Sequence, residues 1–236
     1  MKYQWYRMGW KILDFLIPPR CGGCGTWGVR WCDTCQSRVR LITGKVCSIC
    51  GEPLLEENRT RCERCRTIRK VVVRIRSWAT FSGPIQNAIH RIKYHRDFGL
   101  AERMARSLIA MFQDLPWEVD FVIPVPLDEQ RMQERGYNQA ALLAKPFAWA
   151  LELPYNRQAL GRVRITQSQV GLSRSERKKN VRGAFEADPN HVVGRRVLII
   201  DDVITTGATL IEAARALRRA GAETVFGLTL ARSVLQ

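Results

Sequence analysis

Val197-Leu198-Ile199-Ile200-Asp201-Asp202-Val203-Ile204-Thr205-Thr206-Gly207-Ala208-Thr209 is the stretch that decides the fold. Its aliphatic run suits a strand covered on both faces, and it ends in two carboxylates followed by a small, hydroxyl-rich turn. A helix is predicted from Leu210 to Ala220, with Gly221 as its stop, and a strand from Thr224 to Leu230. The three pieces form a strand-helix-strand unit, which implies a parallel pair joined by a right-handed crossover. The turn is shaped for a phosphate. Backbone N–H groups at the helix start and the hydroxyls of Thr205, Thr206 and Thr209 can donate to phosphate oxygens, while Gly207 permits close backbone approach. Carboxylates beside such a site repel a phosphate unless they address other groups, and ribose hydroxyls are suited donors to them.

Upstream the same architecture continues. Val71 to Phe81 is rich in β-formers and partly alternating, which predicts a first strand. Ser82-Gly83-Pro84 then reads as a helix start, with Ile85, Ile89 and Ile92 on one face. A second helix follows from about Leu100 to Phe112. Val119 to Ile123 is a short buried strand ending in Pro124-Val125-Pro126, and a further helix runs from about Tyr137 to Leu151, where Pro146 is expected to kink it. Residues 71–236 thus read as an α/β domain with a mainly parallel sheet flanked by helices.

Residues 19–70 read differently. The eight cysteines form four Cys-x-x-Cys pairs, Cys21/Cys24, Cys32/Cys35, Cys47/Cys50 and Cys62/Cys65. Two such pairs supply the four thiolates of a tetrahedral Zn²⁺ site, so four pairs predict two structural zinc ions. Sequence-adjacent pairing gives a double zinc ribbon; cross-braced pairing, first with third and second with fourth, satisfies the same spacing. Trp27 and Trp31 are expected to fill the small core of this module, with stacking on nucleic-acid bases as the alternative use of such rings. Residues 1–18 hold Trp5, Met8, Ile12 and Phe15/Leu16 at helical spacing before Pro18-Pro19. They predict a short amphipathic helix whose apolar stripe packs on the main body; a membrane-surface helix is the alternative.

The composition excludes disordered, fibrous and membrane-spanning classes: 46% hydrophobic and 25% charged residues, with no apolar run of spanning length. No signal peptide is recognisable at the N-terminus, and a cytoplasmic protein is expected. The formal charge is +16, with arginine dominating, and it suits phosphorylated or polyanionic partners. Much of it lies in a segment with Arg157, Arg162, Arg164, Arg174, Arg177, Lys178, Lys179 and Arg182 against the single acidic residue Glu176. Such a segment can close over pyrophosphate as a lid or lie along a single-stranded DNA backbone.

The strand, acidic pair and Thr-Gly turn resemble the phosphoribosyltransferase fingerprint. More widely, the chain is similar to the ComF/GntX family of competence and DNA-utilization proteins. The similarity rests on Pro18-Pro19 with Cys21 and Cys24, Lys93-Tyr94, Val125-Pro126, Arg135-Gly136-Tyr137-Asn138-Gln139, Gln167, Asn180, Gly183-Ala184-Phe185 and the 197–209 loop. The resemblance implies a type I phosphoribosyltransferase-like domain behind a double zinc ribbon. It implies that Asp201 and Asp202 take the ribose diol of phosphoribosyl pyrophosphate (PRPP), and that Thr205, Thr206, Gly207, Ala208 and Thr209 take its 5-phosphate. Mg²⁺ is expected to accompany PRPP, Val125 and Pro126 to form the pyrophosphate loop, and Arg131 and Arg135 to lie beside it. Thr205 departs from the purine-salvage pattern, in which an Asp at this position serves as base. Two functions remain open on this reading: pyrophosphate-releasing transfer of phosphoribosyl to an acceptor, and a non-catalytic single-stranded-DNA adaptor that keeps the PRPP fold as a sensor. Competence helicases and recombination mediators are the partners implied by analogy.

Overall fold

The computed structural model describes the chain apart from residues 57, 69–72, 165–173 and 234–236, and apart from the side chains of 174, 175, 177 and 178. The elements begin with α1 (Lys2–Leu16), α2 (Asp33–Ser37) and α3 (Glu63–Arg66) in the N-terminal third. The α/β part runs β1 (Arg74–Thr80), α4 (Gly83–Tyr94), α5 (Phe98–Gln113), β2 (Phe121–Pro124), α6 (Glu129–Arg135) and α7 (Gln139–Ala150). It continues β3 (Leu160–Arg162), α8 (Arg174–Val181), β4 (Phe185–Ala187), α9 (Pro189–Val192), β5 (Arg196–Ile204), α10 (Ala208–Arg219) and β6 (Thr224–Arg232).

Among the described residues the main sheet has the order β1-β6-β5-β2 with every pairing parallel. Its central strands are apolar on both faces, as the 197–200 run demands. Leu198, Ile200, Leu228 and Leu230 pack with α4, α5 and α7 on one side, while Val197, Ile199 and Val225 pack with α10 on the other. Burial this complete is the main driving term, about 25 cal/mol per Å² of apolar surface removed from water. The chain leaves β2 toward α7 on one face and leaves β5 into α10 on the opposite face. A crevice therefore opens at their carboxyl ends, where open α/β sheets place ligands.

Details depart from the sequence reading at element ends. β1 starts at Arg74; Val71 and Val72 lie outside the described residues. The helix holding Pro146 runs on through it from Gln139 to Ala150, with Pro146 buried, so packing outweighs the one missing N–H donor. A small antiparallel pair, β3 with β4, joins the two ends of the segment expected to be a lid. Gln167 lies outside the described residues.

The apolar stripe predicted to pack inward on α1 faces outward instead: Trp5, Met8, Ile12, Phe15 and Leu16 are all exposed. The helix is held by its other face. Tyr3 donates to Glu102, the rings of Tyr6 and Trp149 meet edge-on, and Asp14 pairs with Arg30. Hydrogen bonds, ring contacts and an ion pair decide the rotation of this helix, and apolar periodicity does not report them.

Candidate phosphoribosyl site and zinc centres

The eight sulfurs gather into two groups, Cys21/Cys24/Cys32/Cys35 and Cys47/Cys50/Cys62/Cys65, and within each group all sulfurs lie within 4.8 Å of one another. This is the sequence-adjacent pairing. The S···S separations from Cys32 to Cys21 and Cys24, and from Cys50 to Cys62, are 3.6 Å. A tetrahedral Zn²⁺ with bonds of about 2.3 Å requires edges of about 3.8 Å, so both sets fit the ion with no fourth position left for chemistry. Two structural zinc ions, not catalytic ones, match these donors.

The first group is welded to the α/β body. Cys21, Cys35 and Trp31 share a core with Ile85, Leu100 and Met104, and the Asn87 amide on α4 donates to the Gly23 carbonyl at 2.8 Å. Trp31 is buried with its indole N–H on Gln36 at 2.9 Å, whereas Trp27 is exposed beneath the Arg20 guanidinium. The second group has its own small core of Ile49, Leu54 and Ile68, and it is tied to the sheet by arginines. Arg76 donates to the Cys47 carbonyl at 3.3 Å, and the buried Arg232 donates to that of Cys50.

At the carboxyl end of β5 stand Asp201 and Asp202, both buried. Gly207 follows in the left-handed region at φ 80° as the N-cap of α10, which turns the backbone N–H groups of that helix toward the crevice. Asp201, Thr205, Thr206, Gly207, Ala208 and Thr209 line a small cavity of about 30 Å³. Lys93, at the end of α4, places Nζ 2.6 Å from Asp202 Oδ2, and the Gln139 amide donates to Oδ1 at 3.3 Å. Arg135 in turn donates to Gln139 at 2.9 Å and covers the Tyr94 ring. Burial and the neighbouring Asp202 charge push the Asp201 carboxyl well above the usual range. Burial works on Asp202 in the same direction, but the Lys93 charge and the hydrogen bonds it receives hold it below that range. The two carboxyls are thus pushed apart, Asp201 toward its neutral form and Asp202 toward its ionised form against Lys93.

The neighbouring turn is also built. Val125 N–H donates to the Ile200 carbonyl at 2.9 Å and Asn138 donates to that of Val125 at 2.9 Å, so Val125 and Pro126 sit beside the acidic strand. A larger cavity of about 790 Å³, lined by Pro124, Pro126, Tyr137, Lys145, Asn156 and Arg157 among others, adjoins this turn but includes neither aspartate. Arg131 pairs with Asp128 at 3.4 Å.

Of the basic segment, Arg162 is turned inward, 3.6 Å from Asp128 and over the Phe185 ring, so its guanidinium is largely buried and not displayed on the surface with its basic neighbours. Arg164 donates to the carbonyl of Asn180 at 2.7 Å, and Lys179 and Arg182 are exposed. The side chains of Arg174, Arg177 and Lys178 lie outside the described residues. Sequence reasoning missed Lys93, Gln139 and Asp128 as members of this cluster. Lys93 and Gln139 lie within motifs already singled out, but only the fold brings them onto Asp202.

A double zinc ribbon followed by a phosphoribosyltransferase-type domain is the class that the two cysteine clusters and the parallel sheet define. Family models agree: a double zinc ribbon domain matches residues 12–66 and a phosphoribosyl transferase domain matches residues 134–232. The DNA utilization protein YhgH of Shigella flexneri is 33% identical over 232 residues, covering 92% of this chain and 99% of that one. Competence protein F of Haemophilus influenzae is 32% identical, covering 86% and 90%, and competence protein ComFC of Bacillus subtilis is 31% identical, covering 95% and 89%. The chain belongs to this family of competence and DNA-utilization proteins. Among solved structures, glutamine PRPP amidotransferase from B. subtilis is 27% identical with a TM-score of 0.38, covering 55% of this chain and 26% of that much longer one. Among the described residues no helix is long and apolar enough to cross a membrane.

Proposed function

We propose that this protein binds PRPP at the carboxyl ends of β2 and β5 and acts in the uptake or use of external DNA, as the names of its relatives suggest. One observation carries the reading: a buried acidic pair stands directly before a left-handed glycine that caps a helix, on the central strand of a parallel sheet. Asp201 and Asp202 would accept from the ribose 2- and 3-hydroxyls. Thr205, Thr206 and Thr209, with the N–H groups around Gly207 and Ala208, would donate to the 5-phosphate. Val125 and Pro126 would bound the pyrophosphate, with Arg131, Arg135 and Arg162 as the nearby cations. Mg²⁺, when bound with PRPP, supplies neutralising charge to the leaving pyrophosphate. Lys93 would have to give up Asp202 as the sugar arrives, which frees an ammonium beside the departing anion.

Transfer also needs an acceptor and a base, and Thr205 supplies no carboxylate where purine-salvage relatives of the fold carry one. This favours keeping a second reading, a PRPP-sensing adaptor without turnover that grips single-stranded DNA through exposed cations such as Arg164, Lys179 and Arg182, and through Arg174, Arg177 and Lys178. Calorimetric titration of the zinc-loaded chain with PRPP and Mg²⁺, with Asp201→Asn as control, tests the shared part. Saturable binding that is lost in the variant is the expected result; no binding by the natural chain overturns it. Pyrophosphate release across an acceptor panel, against salt-sensitive binding of a single-stranded oligonucleotide, then separates enzyme from adaptor.

A further inference from the structure

The rotation of α1 exposes what an amphipathic helix ordinarily hides. Its inner face is Tyr3, Tyr6, Trp10 and Asp14, about one residue per turn, and each has a specific partner. The Tyr3 hydroxyl donates to Glu102 at 3.1 Å, Tyr6 meets Trp149 with centroids 5.4 Å apart, the Arg30 guanidinium lies 4.7 Å over the Trp10 ring, and Asp14 binds Arg30 at 2.5 Å. Four anchors of different kinds leave the helix no freedom to roll. They hold Trp5, Met8, Ile12, Phe15 and Leu16 outward, with Trp5 68% and Phe15 86% exposed.

At 3.6 residues per turn these five side chains form one continuous apolar arc, and Lys2 and Lys11 lie along its two borders. Asp14, the one acidic residue of the helix, is turned inward and paired with Arg30, so the outer face carries no acidic group: beside the apolar arc it presents Gln4, Gly9 and the two lysines. A tryptophan and long aliphatic side chains bordered by lysines form the pattern of a helix lying in a lipid interface: the apolar arc enters the acyl boundary and the lysine stems reach back to the headgroups. A partner protein or a second copy would not call for cations on both borders of the arc, and the overall charge of +16 favours a negative surface.

We propose that the outer face of α1 docks on an anionic phospholipid surface, with the helix axis in the plane of the interface. The inference is independent of the phosphoribosyl site. Flotation of the zinc-loaded full chain with vesicles of equimolar phosphatidylcholine and phosphatidylglycerol, against phosphatidylcholine alone, tests it. The chain should float with the anionic vesicles and much less with the neutral ones. The double variant Trp5→Ser/Phe15→Ser keeps every charge and should lower the partition at least about tenfold, while zinc content and melting temperature stay unchanged because both side chains are exposed. Lys2→Gln/Lys11→Gln should lower it less and weaken its salt dependence. No flotation with anionic vesicles overturns the proposal, and so does equal flotation of the serine variant, which would reduce the binding to non-specific charge. A dimer by light scattering that becomes monomeric in the serine variant, without vesicle binding, would assign the face to a second copy instead.

Discussion

The two zinc ribbons use the same cysteine spacing and are attached to the α/β body differently, the first chiefly by packing on α4 and α5 and the second chiefly by polar links to the sheet. The first is fixed by shape: Gly22 and Gly23 lie so close to Leu100 and Pro84 that an added Cβ would come within 2.3 Å of Leu100 and 3.0 Å of Pro84. The second is fixed by charge and backbone: Ile75 N–H donates to the Ile49 carbonyl at 2.7 Å, and Arg76 and Arg232 donate to the carbonyls of Cys47 and Cys50. A ribbon that shares the main core must melt with it, whereas one held by a few polar links can let go alone. The attachments also reach different sides of the candidate site. The first ribbon supports α4, whose far end carries Lys93 onto Asp202; the second meets β6 at Arg232, which registers with Ile204 just before the Thr205 turn.

The largest test is to remove one metal at a time. Cys21→Ser should cost one zinc equivalent and several kcal/mol of the cooperative unfolding of the whole chain, because Cys21 and Cys35 lie in the core formed with α4 and α5. Cys47→Ser should cost the other zinc equivalent yet leave the main calorimetric transition nearly in place. Equal shifts in the two variants would break the comparison. A smaller version uses the glycines. Gly22→Ala forces Leu100 aside and should lower the main transition by about 2 kcal/mol. Gly51 has φ 71° and would set a Cβ 2.5 Å from the Ile75 carbonyl oxygen, so Gly51→Ala should cost a similar amount but report it only in the second ribbon, as faster amide exchange around Cys50.

Arg232→Met sharpens the polar side of the contrast. The guanidinium is buried, and burial lowers its pKa against the raising influence of the nearby Cys50 and Glu52 charges, so it is retained at a cost for the contact it makes. A charge-assisted hydrogen bond of this kind is worth about 1.5 kcal/mol, or roughly tenfold. Zinc transfer to a chelator should therefore accelerate about tenfold from the second ribbon and not at all from the first. Unchanged transfer from both would show that the link to Cys50 holds nothing.

Much of this was legible in the sequence because it is written in local chemistry. Cys-x-x-Cys spacing, the 197–209 run and the Ile85/Ile89/Ile92 stripe each define a local geometry, and the structure shows two sulfur clusters, a central buried strand with its helix, and the inner face of α4. What could not be read depends on distant parts of the chain meeting. Lys93, Gln139 and Asp202 are far apart in sequence and meet only because α4 and α7 pack on one face of the sheet. Arg162 was grouped with its basic neighbours, yet β3 pairing with β4 turns it inward onto Asp128. The α1 stripe misled for the opposite reason: periodicity locates an apolar face but does not say what it meets, and here four specific contacts claim the other side.

The smallest expected effect tests how the first ribbon reaches the site. Asp201 has a raised pKa from burial and from Asp202, so a proton that the unfolded chain releases near pH 4 is held to higher pH in the folded state. Its contribution is therefore neutral in acid and turns destabilising as pH climbs through the unfolded pKa, until it levels off above the folded one. Asp201→Asn removes that burden: the variant should match the natural chain at pH 3 and melt higher at pH 7, while losing PRPP binding. Lys93 partly offsets the burden, and α4 holds Lys93 in place. The gain from Asp201→Asn should accordingly grow in a Cys21→Ser background, where α4 has lost its support, and stay the same in a Cys47→Ser background. Equal gains in the two backgrounds, read from melting curves at both pH values, would mean that the first ribbon packs against α4 without setting the position of Lys93.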